Sequence, residues 1–120
     1  MNQEKKERLI KIGIEEYINN NFDNASLNII LKKAEISKGS FYHEFNSKLD
    51  LYIYIIEYIS NKEVKYMDKY IKNSSEDFAN KNMYDLLKAI GRLGIEFTKE
   101  NPLYSKLWVA MLNENNKEIN

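Results

Sequence analysis

The helical spacing of the apolar residues is the feature that most constrains this chain. Apolar side chains recur every three or four positions in successive segments, which is the period of an amphipathic α-helix. The chain also has one proline and four glycines in 120 residues, too few for a turn-rich β fold. The sequence therefore predicts an all-α protein. The clearest short stripe is Leu27, Ile30, Leu31 and Ala34, at i, i+3, i+4 and i+7.

Caps and breaks divide this pattern into six helices. The first runs from about residue 4 to residue 20 and ends at three asparagines, because asparagine tolerates the left-handed conformation common at helix ends. Ser26 and Ser37 occupy N-cap positions of two short helices. The run LYIYIIEYI has strand-like composition, but a capping box before it and apolar residues as far as position 71 favour a long fourth helix. Residues 73–82 are predicted as a loop, helices follow from about 83 and 102, and the polar end, NENNKEIN, is expected to fray.

Composition excludes several classes of protein. The chain has no cysteine, which rules out disulfide scaffolds and thiolate metal sites and fits a reducing cytoplasm. No stretch approaches the length of a membrane span, and the charged N-terminus has no apolar core of a secretory signal. Eighteen basic residues balance eighteen acidic ones. Any affinity for DNA must therefore come from the local placement of charge.

Helices of about 17, 8 and 9 residues, the last two joined by a tight turn at 35–36, form a helix-turn-helix pattern. The stretch SLNIILKKAEISKGSFYHEFNSKLDL resembles the N-terminal domain of the TetR/AcrR family of transcriptional regulators. The resemblance covers about residues 9–52. It implies a helix-turn-helix DNA-binding domain over 1–46, followed by a helical ligand-binding and dimerisation segment over 47–120.

The sequence departs from the family pattern in two residues and in length. Glycine is common in the family where Asn21 stands, and an acidic residue is common where Ile29 stands. Asn21 can serve the same backbone role as the glycine, and Ile29 adds a contact. Family members are usually longer, and their dimer-forming helices would come after residue 113. Weak dimerisation of this chain is therefore expected.

The third helix carries the predicted DNA contacts. On a helical wheel Phe41 and Phe45 face the core and His43 points almost opposite, flanked by Gly39 and Ser40. Gly39 would let the backbone approach DNA closely, or it would merely ease packing within the protein. The resemblance implies phosphate contacts for Tyr42 and Lys48, against the alternative of ordinary surface residues. The predicted DNA-binding set is Ser26, Ser37, Lys38, Gly39, Ser40, Tyr42, His43 and Lys48.

Aromatic residues of the C-terminal half have two interpretations. At helical spacing most of them belong to the core, yet the family uses this region to bind small effectors, and tyrosine is a suitable amphipathic lining. The predicted effector pocket contains Tyr58, Tyr84, Phe97, Tyr104 and Trp108. No paired acids, activated nucleophile or phosphate-binding loop stands out, and with a single histidine no metal site or cofactor is expected.

Two functions of different classes remain at this point. The resemblance implies a cytoplasmic repressor that binds a palindromic operator in double-stranded DNA as a homodimer and responds to a small-molecule effector. The alternative is a helical interaction protein that kept the fold and lost DNA binding. Overall neutrality and Glu44 favour that alternative, and the intact SKGSFYHEF motif opposes it.

Overall fold

The computed structural model describes residues 1–74 and 77–119 and, within 115–119, the backbone alone. It confirms the all-α prediction with six α-helices in these residues, joined in one place by a short 3-10 helix at Phe78–Asn80. The helices are α1 (Gln3–Asn24), α2 (Leu27–Ala34), α3 (Lys38–Glu44), α4 (Lys48–Asn73), α5 (Met83–Glu100) and α6 (Pro102–Ile119).

The ends of three helices differ from the prediction. α1 does not end at Asn20: Asn21 takes φ 63° and interrupts it, and one further turn follows as far as Asn24. Asn21 thus takes the positive φ expected of it. α3 ends one residue before Phe45, whose backbone is extended. The predicted frayed end after residue 112 is instead helical through Ile119.

The long fourth helix is confirmed, and it crosses α1 closely. An added Cβ at Gly13 would lie 3.0 Å from Ile55 Cδ1, so the two helices meet where α1 has no side chain. The Tyr52 hydroxyl donates a hydrogen bond of 2.8 Å to the Gly13 carbonyl oxygen at the same crossing. Burial raises the pKa of Tyr52 well above its usual range, and nearby Glu16 and Tyr17 add to this shift.

One hydrophobic core runs through both halves of the chain. α6 packs along α1, and its Leu107 is buried in the same cluster as Phe41 of α3 and Ile55 of α4. The boundary expected near residue 46 therefore separates segments of sequence that share a continuous core.

Candidate DNA-binding interface

Two serine caps and a left-handed residue build the α2–α3 unit. Ser26 Oγ accepts a hydrogen bond from the Ile29 amide, and Ser37 Oγ accepts one from the Ser40 amide, so each serine begins a helix as predicted. Between the helices Glu35 adopts φ 57° and ψ 46°. In this conformation the Ile36 amide donates a hydrogen bond to the Leu31 carbonyl oxygen, and the chain turns within three residues.

Phe41 fixes the orientation of α3. Its side chain is fully buried and stacks on Phe45 with ring centres 5.2 Å apart. The opposite side of the helix is exposed and has no acidic residue before Glu44. The structure thus brings most of the predicted DNA-binding residues onto one solvent-facing surface: Ser37, Lys38, Gly39, Ser40, Tyr42 and His43.

Gly39 has no role in packing within the described protein. A Cβ added there would meet no atom within 4 Å, and the residue does not have a positive φ. Glycine costs about 0.5–1 kcal/mol relative to alanine in a helix. The alternative that Gly39 eases packing is therefore contradicted.

Tyr42 and Glu44 flank this surface. The Tyr42 ring lies edge-on to Phe41, 5.1 Å between centres, and leaves 54% of the residue exposed. Glu44 forms an ion pair of 3.4 Å with Lys6 of α1, and a second with the Met1 amino group. Hydrogen bonding to that amino group and the charge of Lys6 lower the pKa of Glu44. The acidic charge that favoured loss of DNA binding is thus offset by cations of the same chain.

The Lys48 side chain is engaged within the protein. Its ammonium donates hydrogen bonds to the carbonyl oxygens of Phe22, at 2.5 Å, and Ala25, at 3.2 Å, and lies 4.5 Å from the centre of the Phe22 ring. It therefore caps the C-terminal end of α1, where helix carbonyls lack partners and a cation is favourable. Lys48 is therefore not the ordinary surface residue of the alternative interpretation, because its ammonium is held against α1 and does not extend toward solvent. Its phosphate contact stays a prediction.

Glu16 has a role that the sequence analysis missed. Only 7% of this acidic residue is exposed. Its Oε1 accepts hydrogen bonds from the Ser26 amide at 3.2 Å and from the Asn20 side chain at 3.0 Å. No local pattern indicates this role, because the Ser26 amide lies ten residues further along the chain than Glu16.

The predicted effector residues separate into three environments. Tyr58 and Tyr104 line a cleft of about 420 Å³ between α1, α4 and the start of α6, together with Lys62, Ile10 and Leu103. The Lys62 ammonium lies 4.9 Å from the centre of the Tyr58 ring, and its hydrogen bond with Tyr58 raises the pKa of Lys62.

The other three members of the predicted pocket do not line this cleft. Phe97 is buried between Tyr66 and Tyr104, and Trp108 packs against the core. Tyr84 is exposed on α5, beneath the ammonium of Lys88. Of the five, therefore, only Tyr58 and Tyr104 line the cleft, and Phe97 stacks on Tyr104 from within the core.

Comparison with known proteins agrees with this geometry. A family model described as bacterial regulatory proteins of the tetR family matches residues 9–55. The crystal structure of a TetR family transcriptional regulator from Chloroflexus aurantiacus superposes with a TM-score of 0.67 and 29% sequence identity, over 89% of this chain and 47% of that one. Residues 9–55 therefore form a domain of the TetR family.

Two curated relatives are transcriptional regulators by description. YerO of Bacillus subtilis, an uncharacterised HTH-type regulator, is 35% identical over 94 residues, which are 78% of this chain and 30% of YerO. AcuR of Cereibacter sphaeroides is 39% identical over 49 residues, or 41% of this chain and 22% of AcuR. The chain thus spans less than a third of these relatives' length.

No helix in the described residues is long and apolar enough to cross a membrane. No group of three or more His, Cys, Asp or Glu side chains in the same residues is placed to hold a metal ion.

Proposed function

We propose that this chain is a sequence-specific transcriptional repressor that inserts α3 into the major groove of operator DNA. The observation that carries the proposal is the exposed, polar face of α3 with a glycine that the fold does not require. A major groove accepts one α-helix, and polar side chains at its surface can pair with base edges. Catalysis forms no part of this proposal.

The side chains divide into base contacts and phosphate contacts. Lys38, Ser40 and His43 lie on the exposed face of α3 and are assigned to base edges. Tyr42 and the hydroxyls of the capping serines are assigned to phosphates, where contacts set position without reading sequence. Lys48 would reach a phosphate only by leaving the carbonyls of α1, and its phosphate contact has its own test below.

Two copies are needed for useful specificity. One recognition helix covers too few base pairs, whereas a two-fold dimer reads two half-sites of a palindrome about 34–36 Å apart. We therefore assign to the functional form a homodimer bound to double-stranded DNA in the cytoplasm.

The cleft between α1, α4 and α6 is the proposed effector site. Tyr58, Tyr104 and Lys62 give it aromatic walls and a cation, while Ile10 and Leu103 give it apolar surface. Because α1 forms one wall, a ligand that fits only one arrangement of α1 and α4 would shift the population of DNA-binding forms. Release of repression by a small molecule would follow from that shift.

Binding to the DNA that flanks the protein's own gene tests the proposal. Wild type should shift this DNA in a gel and discriminate it from a scrambled duplex. Ser40→Ala should leave the melting temperature nearly unchanged and weaken operator binding, because the Ser40 side chain is exposed on α3. Phe41→Ala should unfold or loosen the domain, because a core aromatic truncation costs about 3–5 kcal/mol.

The contrary results are distinct. Normal operator binding by Ser40→Ala would remove that residue from the base contacts. If wild type bound operator and scrambled DNA equally, or neither, sequence-specific regulation would be refuted and the interaction-protein alternative would stand.

A further inference from the structure

The peptide group between Ala25 and Ser26 is held from both sides by charged side chains. Its N–H donates a hydrogen bond of 3.2 Å to Glu16 Oε1, and its carbonyl oxygen accepts one of 3.2 Å from the Lys48 ammonium. The N–H and the carbonyl of a trans peptide point in opposite directions, so the two side chains lie on opposite sides of this one group. Glu16 belongs to α1 and Lys48 to α4, so both helices fix the peptide that leads into α2.

The burial of Glu16 is offset by its contacts. A buried carboxylate costs free energy unless hydrogen bonds compensate for the lost water. The Asn20 side chain, one turn further along α1, donates to the same Oε1 as the Ser26 amide. Ser26 is the N-cap of α2, and the positive end of a helix dipole is favourable for a carboxylate. Glu16 is therefore a charged acceptor directed at the start of α2.

The other end of α2 is held by the same helix. Arg8 Nε donates a hydrogen bond of 2.7 Å to the carbonyl oxygen of Ala34, the last residue of α2. Arg8 and Glu16 are eight positions apart on α1, a rise of about 12 Å, and α2 is itself eight residues long. The guanidinium meets the negative end of α2, and the carboxylate meets the positive end. α1 therefore sets the position of α2 along its own axis through one contact at each end.

Ser26 is the residue whose position these contacts determine. Its Oγ accepts a hydrogen bond from the Ile29 amide, which leaves the hydroxyl hydrogen to donate to a phosphate oxygen. Ser26 is half-buried, and in a helix-turn-helix the first of the two helices crosses the DNA backbone. An O–H···O hydrogen bond is about 2.5–3.0 Å long, so a shift of about 1 Å at Ser26 would break this contact.

We infer that Glu16 is a positioning residue for DNA binding. Without touching DNA, it holds the Ala25–Ser26 peptide against Lys48 and so places the Ser26 hydroxyl at a phosphate. The inference deepens the proposed function and rests on it for that phosphate contact. The electrostatic effect of Glu16 has the opposite sign, because an acidic residue near the DNA backbone repels the phosphates. The two effects separate when the acceptor oxygen and the charge are removed independently.

The variants Glu16→Gln and Glu16→Met achieve this separation. Both remove the charge and keep the length of the side chain, but only glutamine keeps an oxygen that can accept from the Ser26 amide. Fluorescence anisotropy would measure binding of each variant, as the full chain, to the DNA that flanks the protein's own gene and to a scrambled duplex. The measurements cover a salt series at a temperature where circular dichroism shows the variant to be folded. Glu15→Gln and Glu15→Met are the matched controls, because Glu15 is the exposed neighbour of Glu16 on α1.

The expected result is a difference between the two Glu16 variants. Glu16→Met should bind about tenfold more weakly than Glu16→Gln, because a hydrogen bond to a charged group contributes about that much. The loss should be the same on both duplexes, because a phosphate contact reads no sequence. The ratio of the two affinities should stay constant with salt, because a neutral hydroxyl releases no counterions. The two Glu15 variants should bind equally.

Ser26→Ala shows whether Glu16 acts through Ser26. Combined with Glu16→Met, it should weaken binding no further than Ser26→Ala alone, because both changes remove the same contact. A second measurement needs no variant. In the wild type the Ser26 amide should exchange its hydrogen with solvent at least about tenfold more slowly than in the unfolded chain, as measured by NMR, because it is bonded to a buried carboxylate.

The two proposals can fail separately. Equal affinities of Glu16→Met and Glu16→Gln, additive losses in the double variant, or an unprotected Ser26 amide would each overturn the inference. The proposed function stands in those cases if the wild type binds operator and discriminates against the scrambled duplex. A wild type that bound neither duplex would refute both proposals, and one that bound both duplexes equally would refute sequence-specific repression alone.

Discussion

Replacement of Gly39 by alanine should stabilise the protein and weaken its binding to DNA. The structure leaves open space around the missing Cβ and gives Gly39 no positive φ, so alanine meets no steric penalty in the fold. The gain in helix propensity is about 0.5–1 kcal/mol. In a domain of this size that gain raises the melting temperature by about 2–5 °C.

The loss of affinity has a different cause. On the groove-facing side of α3 a methyl group would hold the helix away from the base edges and lengthen the neighbouring hydrogen bonds. Each lost base contact costs about 1–3 kcal/mol, so we expect operator binding to weaken by at least about fivefold. Fluorescence anisotropy with a labelled operator would measure the affinity, and thermal unfolding by circular dichroism would measure the stability.

Asn61→Ala is the matched control for Gly39→Ala. Asn61 is exposed in the middle of α4, and alanine there improves helix propensity by about 0.5 kcal/mol without touching α3. Its operator affinity should equal that of wild type. If Gly39→Ala bound operator as tightly as wild type, the argument that this glycine serves DNA binding would be wrong. A lowered melting temperature would instead reveal a steric role within the protein.

Three further predictions concern the supports of this surface. Lys48→Met should lower the free energy of unfolding by about 1–2 kcal/mol, since the α1 carbonyls lose a charged donor. Unchanged stability would refute this capping role. If Lys48 contacts a phosphate, the variant should also flatten the slope of log K for DNA binding against log salt by about 0.9, and an unchanged slope would refute that contact. Tyr52→Phe should cost about 1 kcal/mol at pH 7 through its lost hydrogen bond to Gly13. The pKa of Tyr52 is raised in the folded state, so its contribution to the free energy of unfolding is present below the usual tyrosine pKa of about 10 and is lost as the pH rises above it. Urea unfolding from pH 7 to 11 should therefore show that the stability difference between wild type and variant shrinks. A difference that stays constant with pH would contradict this. Glu35→Gly should stabilise the α2–α3 turn by up to about 1 kcal/mol, because a left-handed residue with a Cβ is strained, and a fall in melting temperature would show that the Glu35 side chain makes a compensating contact.

The sequence alone predicted the features that depend on neighbouring residues. The α2 stripe, the caps at Ser26 and Ser37 and the positive φ of Asn21 are set by interactions within about four positions. Local chemistry decides such features before any helix packs against another. The exposed face of α3 follows in the same way, because Phe41 faces the core and thereby directs the other side of a short helix outward.

Only the tertiary structure decided the pairings between distant positions. Lys48 meets carbonyls 23 and 26 residues earlier in the chain, and no local pattern distinguishes it from a lysine that faces solvent. Tyr58 and Tyr104 share a cleft while Tyr84 does not, although all three lie at helical spacing in apolar stripes. Such contacts depend on the crossing of whole helices, as where Gly13 admits Ile55. A helical period gives the face on which a residue lies, but the packing of the helices determines what that face contacts.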